Sequence, residues 1–196
     1  TELWKESVLF LVACLVALLF GQILVVCFYP ELNLPHLSAV RERKYHHIYP
    51  PNATFREKFS DQIEMEIRTN SDGLRTEYEP STFNDHSLRV AILGDSFVFG
   101  LGVEPEETLS AVLEKELREK VNPDAAVLNC GIVSYSPFLE SILFEGVVRK
   151  YRPQFTLLFL DATDFSDDVR YRKEAQVVDE EIVFEFRAIK PFRYWG

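Results

Sequence analysis

Positive charge is in deficit in this chain: 21 lysines and arginines stand against 31 aspartates and glutamates, a formal net charge of −10. A nucleic-acid binder needs a basic patch to neutralise phosphates, so no nucleic-acid partner is expected. Cysteine is sparse as well. Cys14, Cys27 and Cys130 are odd in number and contain no Cys-x-x-Cys pair, which leaves no disulfide framework and no metal-ligand spacing. All three read as small buried hydrophobes. Histidine stops early, with none after His86. His46 and His47 adjoin in a connector rich in proline and charge, where no carboxylate or cysteine stands at ligand spacing, and they read as surface residues. His86 reads as an exposed loop residue. Neither a metal nor a cofactor is expected.

Apolar residues are plentiful, 47% of 196, enough for one ordinary domain plus an extra element. Val8 to Phe28 is apolar except for Gln22 and would span roughly 30 Å as a helix, the thickness of a bilayer core. Trp4 and Tyr29 suit the two interfaces. The stretch is too long for a cleaved signal peptide and no Ala-x-Ala site follows it. Leu11-Val12-Ala13-Cys14 looks like a lipoprotein box, yet the residues after Cys14 stay apolar. The expectation is a single-pass membrane anchor over residues 1–29, helical from about Trp4 to Phe28. Its partner is membrane lipid, and Gly21 and Gln22 offer a packing face for other membrane subunits. Arg41, Arg43 and Lys44 against Lys5 would put the following domain in the cytoplasm by charge count alone.

Residues 30–87 read as linker and N-terminal extension, punctuated by Pro30, Pro35, Pro50 and Pro51. Asn52-Ala53-Thr54 is formally a glycosylation acceptor. Ile63 to Ile67 alternates as an edge strand would, and Thr69 to Arg75 is a turn cluster.

From Leu88 the pattern changes. Val90 to Leu93 is a short strand that stops at Gly94. Thr108 caps a helix whose Leu109, Val112, Leu113, Leu117 and Val121 recur at helical spacing, ended by Asn122-Pro123. Ala125 to Asn129 is a second strand, and Ser136-Pro137 opens a second helix with Phe138, Ile142, Leu143, Val147, Val148 and Tyr151 as its stripe. Phe155 to Leu160 is continuously apolar, as a strand buried on both faces would be. Strand, helix, strand, helix, strand gives a parallel α/β sheet with right-handed crossovers. Ligands bind beyond the carboxyl ends of such strands, where Ser96 falls.

Gly94-Asp95-Ser96-Phe97-Val98-Phe99-Gly100 resembles the first signature block of the SGNH (GDSL-like) hydrolases, esterases and acyl-group enzymes with a three-layer α/β/α flavodoxin-like fold. The resemblance implies that Ser96 is the nucleophile. It implies oxyanion donors from the Ser96 N–H, from the Gly131 N–H in Asn129-Cys130-Gly131, and from an asparagine in a third block. Thr163 stands there instead, within Ala162-Thr163-Asp164, and losing one such donor typically costs about 10²–10³ in turnover. Asn70-Ser71-Asp72-Gly73-Leu74-Arg75 looks like the lead-in of membrane-anchored SGNH proteins, where such a segment packs beside the catalytic loop.

The family's Asp-x-x-His base lies far downstream of the third block, and nothing here supplies it; Asp164, Asp167 and Asp168 do not replace a histidine as base without special geometry. Two expectations follow. Residues 88–196 are either the front part of an SGNH-like domain, truncated at the C-terminus, or an inactive SGNH-like accessory subunit of a larger membrane complex. The tail supports the first, since Val177 to Phe186 alternates as one strand and residues 188–196 stay aromatic and basic. The resemblance implies a soluble domain on the extracytoplasmic (periplasmic) side, acting on an acylated glycan or small ester.

Overall fold

The computed structural model describes residues 3–28, 39–58 and 63–184. Helix α1 (Leu3–Phe28) has 26 residues and a length of about 39 Å. It has no polar stripe, and Leu9, Phe10 and Leu18 are each at least 70% exposed. The side chains described without a break are those of residues 7–21. Among the described residues no helix is long and apolar enough to cross a membrane. The expected span thus holds as a helix, while its remaining side chains, Gln22 and Cys27 included, lie outside the described residues. Cys14 corrects the reading of buried cysteines: it is exposed, because the whole surrounding surface of α1 is.

Two small antiparallel pairs follow. Strands β1 (Val40–Glu42) and β2 (His46–Ile48) form one, β3 (Thr54–Lys58) and β4 (Glu64–Arg68) the other. In β4, Met65 and Ile67 are fully buried while Glu64 and Arg68 face out, the alternation expected of it. A short helix α2 (Pro80–Asn84) leads into the main sheet.

That sheet is parallel, in the order β6-β5-β7, with β5 (Leu88–Gly94) central, β6 (Ala125–Gly131) on one side and β7 (Phe155–Leu158) on the other. Gly94 pairs with Gly131 and Leu93 with Leu158, which aligns the carboxyl ends. Between the strands lie α3 (Ser96–Phe99), a 3-10 turn at Pro105–Glu107, α4 (Leu109–Lys120), α5 (Pro137–Gly146) and a 3-10 turn at Val148–Tyr151. Thr108 caps α4 as expected, its Oγ1 accepting from the Ala111 N–H. Side chains alternate across the sheet. Val90, Ile92 and Val127 pack with Val98, Leu113 and Leu117 on the α4 face. Ala91, Leu93, Leu128 and Cys130 pack with Leu139 and Leu143 of α5 on the other. The protein is therefore a mixed α/β fold with helices on both faces of a parallel sheet.

Two expectations fail here. β7 was to be buried on both faces, yet Phe155 is 60% and Leu158 51% exposed. It pairs only with β5, and among the described residues no strand lies along its other edge. The alternation after Val177 is a hairpin instead of one strand. Helix α6 (Asp164–Glu174) runs into β8 (Ala175–Val178), which turns back as β9 (Glu181–Phe184). Asp179 and Glu180, at φ 51° and 66°, make the left-handed two-residue turn that hairpins favour. Residues 185–196 lie outside the described residues.

Candidate active site around Ser96

Each residue of the Gly94–Gly100 block has a local task. A Cβ on Gly94 would come 2.4 Å from Val98 Cγ2, so only glycine lets α3 fold back onto the strand end. Asp95 caps α3, its Oδ1 accepting from the Phe97 N–H at 3.0 Å. Ser96 is the first residue of the helix, at the carboxyl end of β5. Gly100, at φ 83°, closes the turn in the left-handed conformation, and its N–H donates to the Ser96 carbonyl at 3.1 Å.

The turn is held from below by Arg75. Its Nη1 donates to the carbonyls of Gly100 (2.6 Å) and Phe99 (3.1 Å), and its Nη2 to those of Glu66 and Val103, both at 2.8 Å. The guanidinium lies 5.2 Å from the Phe99 ring centroid, and its burial pulls its pKa below the usual arginine range. Asn70 fixes the segment that carries Arg75. Its Oδ1 accepts from the Asp72 and Leu74 N–H groups, and its Nδ2 donates to the Tyr78 carbonyl and the Tyr151 hydroxyl. The Asn70–Arg75 segment thus packs beside the Ser96 turn.

Gly131 and Thr163 are arranged differently from a ready oxyanion hole. A Cβ on Gly131 would lie 2.2 Å from the Phe99 nitrogen, so this glycine lets α3 rest on β6. Its N–H donates to Asn129 Oδ1 at 3.0 Å, and facing a carbonyl carbon beside Ser96 would require Asn129 to release it. The Thr163 N–H and hydroxyl both donate to Asp161 Oδ1, at 2.5 and 2.7 Å.

Carboxylates gather around the serine. The Ser96 hydroxyl donates to Asp95 Oδ2 over a long 3.4 Å. Burial raises the Asp95 pKa, and the neighbouring Asp161 carboxylate raises it further. Asp161 is held below its usual range by the Thr163 hydroxyl and N–H. Asp164 accepts from the Asp161 N–H at 2.8 Å and is raised by burial.

Sequence reasoning missed Glu140. It is 1% exposed on α5, and neither carboxylate oxygen has a hydrogen-bond partner among the described residues. Burial, then the charges of Asp164, Asp95 and Asp168, push it up to about 8. The available signal was a glutamate interrupting the apolar run Phe138-Leu139. Asp168, named in the sequence only as no substitute for a histidine, has a structural role: its Oδ1 accepts from the Phe138 N–H at 2.8 Å and ties α6 to the start of α5.

The described histidines lie elsewhere. His86, read as an exposed loop residue, is half-buried, and its Nδ1 contacts Asp124 Oδ1 at 2.8 Å at the amino ends of β5 and β6, opposite to Ser96. His46 and His47 are half-buried between β2, α6 and the loop after β6, packing on Tyr171, Tyr135 and Phe184. The aromatic wall draws them in, which the proline-rich wording of the connector did not suggest. His36 lies outside the described residues. Among the described residues no three His, Cys, Asp or Glu side chains are placed to hold a metal ion.

A cavity of about 400 Å³ opens against Ser96, walled by Phe97, Leu101, Val103 and Leu109 with Glu107 at its rim. A larger one, about 550 Å³, lies between Tyr78 and Arg118 and is not lined by Ser96. No family model matches the chain, and no curated protein does.

Proposed function

We propose that the protein is an SGNH-like serine ester hydrolase or O-acyl-group enzyme held at a membrane by α1, with its α/β domain of flavodoxin-like type on the extracytoplasmic side. The observation that carries the reading is the position of Ser96: at the carboxyl end of the central parallel strand, on a glycine-flanked turn, against an apolar cavity. In such chemistry the serine Oγ bonds to the acyl carbon, the alcohol leaves, and water later releases the acid. The Oγ proton needs an acceptor. Asp95 Oδ2 is the group it already points to, and a raised pKa makes that carboxylate a better base than an ordinary aspartate. Anchoring is supported by the all-round apolar surface of α1.

A second reading, an inactive accessory subunit of a membrane complex, draws on the engagement of the Gly131 N–H by Asn129 and of Thr163 by Asp161. Labelling with a fluorophosphonate probe separates the two, because the probe needs an activated serine. Labelling abolished by Ser96→Ala supports the hydrolase. Absence of labelling supports the accessory subunit.

A further inference from the structure

Two different environments diverge from the Ser96 hydroxyl. On one side stand the carboxylates of Asp95, to which the Ser96 hydroxyl donates, and of its neighbour Asp161. On the other is the cavity of about 400 Å³, which neither of them lines. Its walls are side chains that the fold leaves incompletely covered. Phe97 is 76% exposed directly after the serine, Leu109 is 37% exposed at the start of α4, and Leu101 and Val103 are half-buried. Glu107 at the rim is the one charged side chain of the lining.

An ester bound across Ser96 has two ends to place. An apolar chain laid against Asp95 and Asp161 would strip water from carboxylates and return no hydrogen bond. A hydroxyl-rich alcohol there would donate to them. The apolar end finds its match in the cavity, where each buried methylene adds affinity. A methylene is comparable in size to a water, whose share of liquid volume is about 30 Å³, so the cavity holds a chain of roughly six to eight carbons with room to spare.

Resting on the ester-hydrolase reading of Ser96, we infer that the Phe97–Leu101–Val103–Leu109 cavity is an acyl-chain site, and that the substrate is an ester of a medium-length apolar acid with a polar alcohol. An acetyl group alone would leave most of the cavity to water.

The test uses uncharged, unreactive carbonyl probes: acetamide, butanamide and hexanamide. Each is titrated into the full chain in detergent micelles, with backbone amide shifts of Ser96, Leu101 and Val103 as the readout. Affinity is expected to rise about threefold to fourfold per methylene, on the order of a hundredfold from acetamide to hexanamide. Leu109→Trp, at a partly exposed position of the lining, is expected to flatten that dependence, and Val103→Phe, at another, to do the same. These variants also control for partition of the probes into micelles. Equal affinity for all three amides, or a length dependence that both variants leave intact, overturns the acyl site. Length-dependent binding without fluorophosphonate labelling of Ser96 keeps the acyl site and removes the hydrolase reading instead.

Discussion

The Nδ1 atoms of His46 and His47 lie 2.6 Å apart, a distance that one proton must bridge. The His47 Nε2 lies 2.7 Å from the Val133 carbonyl, so it carries a hydrogen, and the neutral His47 Nδ1 is the acceptor. His46 therefore donates through Nδ1. A second proton on His47 would set two N–H groups against each other. Burial, opposed by the Val133 contact, pulls His47 down to about 4 from an ordinary 6.5.

The sign of the resulting pH dependence follows. A histidine whose pKa is depressed on folding contributes stability that is complete above about pH 6.5 and is lost as pH falls toward 4. The size is about 3 kcal/mol, with a spread of one either way. Urea midpoints across pH 4 to 7 are expected to fall on the acid side for the natural chain. His47→Gln is expected to be less stable at pH 7 and flatter across that range.

Glu140 gives the opposite slope. Its pKa is raised from 4.5 to about 8, so the protonated form is the one the fold accommodates. The contribution is present below pH 4.5 and lost as pH rises through 8. Glu140→Gln keeps the shape without the charge. It is expected to raise stability by about 2–4 kcal/mol at pH 8.5 and by little at pH 5, measured by denaturant titration at both values.

Arg75 joins four carbonyls from three separate segments of the chain. Arg75→Met keeps the stem and leaves those acceptors buried, at a cost of about 3–5 kcal/mol in unfolding free energy. Arg75→Lys should recover less than half of this, because one ammonium cannot span the same fork. Full recovery by lysine would show that charge alone matters there.

Hydrolysis of p-nitrophenyl acetate is expected to be slow, but above a Ser96→Ala control. An aspartate is a weaker general base than a histidine, and both remaining oxyanion groups have other partners. A Ser96-dependent rate would assign the base to Asp95 or to another carboxylate of the cluster.

Much of the fold was legible because it is written in local patterns. The three parallel strands, the cap of α4, the proline that opens α5 and the alternation in β4 follow from period and punctuation within a few residues. What was not legible depends on neighbours distant in the chain. Nothing around His46 indicates that Tyr171 and Phe184 will enclose it. β7 failed for a related reason: an apolar run states what a strand could bury, and the partner that would cover it has to come from elsewhere. At the site, Ser96 was legible from its block, whereas Glu140 was hidden by the apolar stripe it interrupts.

The clasp made by Arg75 also sets an order of events during synthesis. Three of its four carbonyl partners belong to Phe99, Gly100 and Val103, and Tyr151, which holds Asn70, comes later still. The extension before β5 therefore leaves the ribosome with its arginine unmatched. A nascent chain paused before residue 99 carries a segment that can form its β3–β4 pair but cannot lock it. Released polypeptides ending near residues 90 and 160 would differ sharply in protease resistance over residues 63–76, with the protected segment made before the part that protects it.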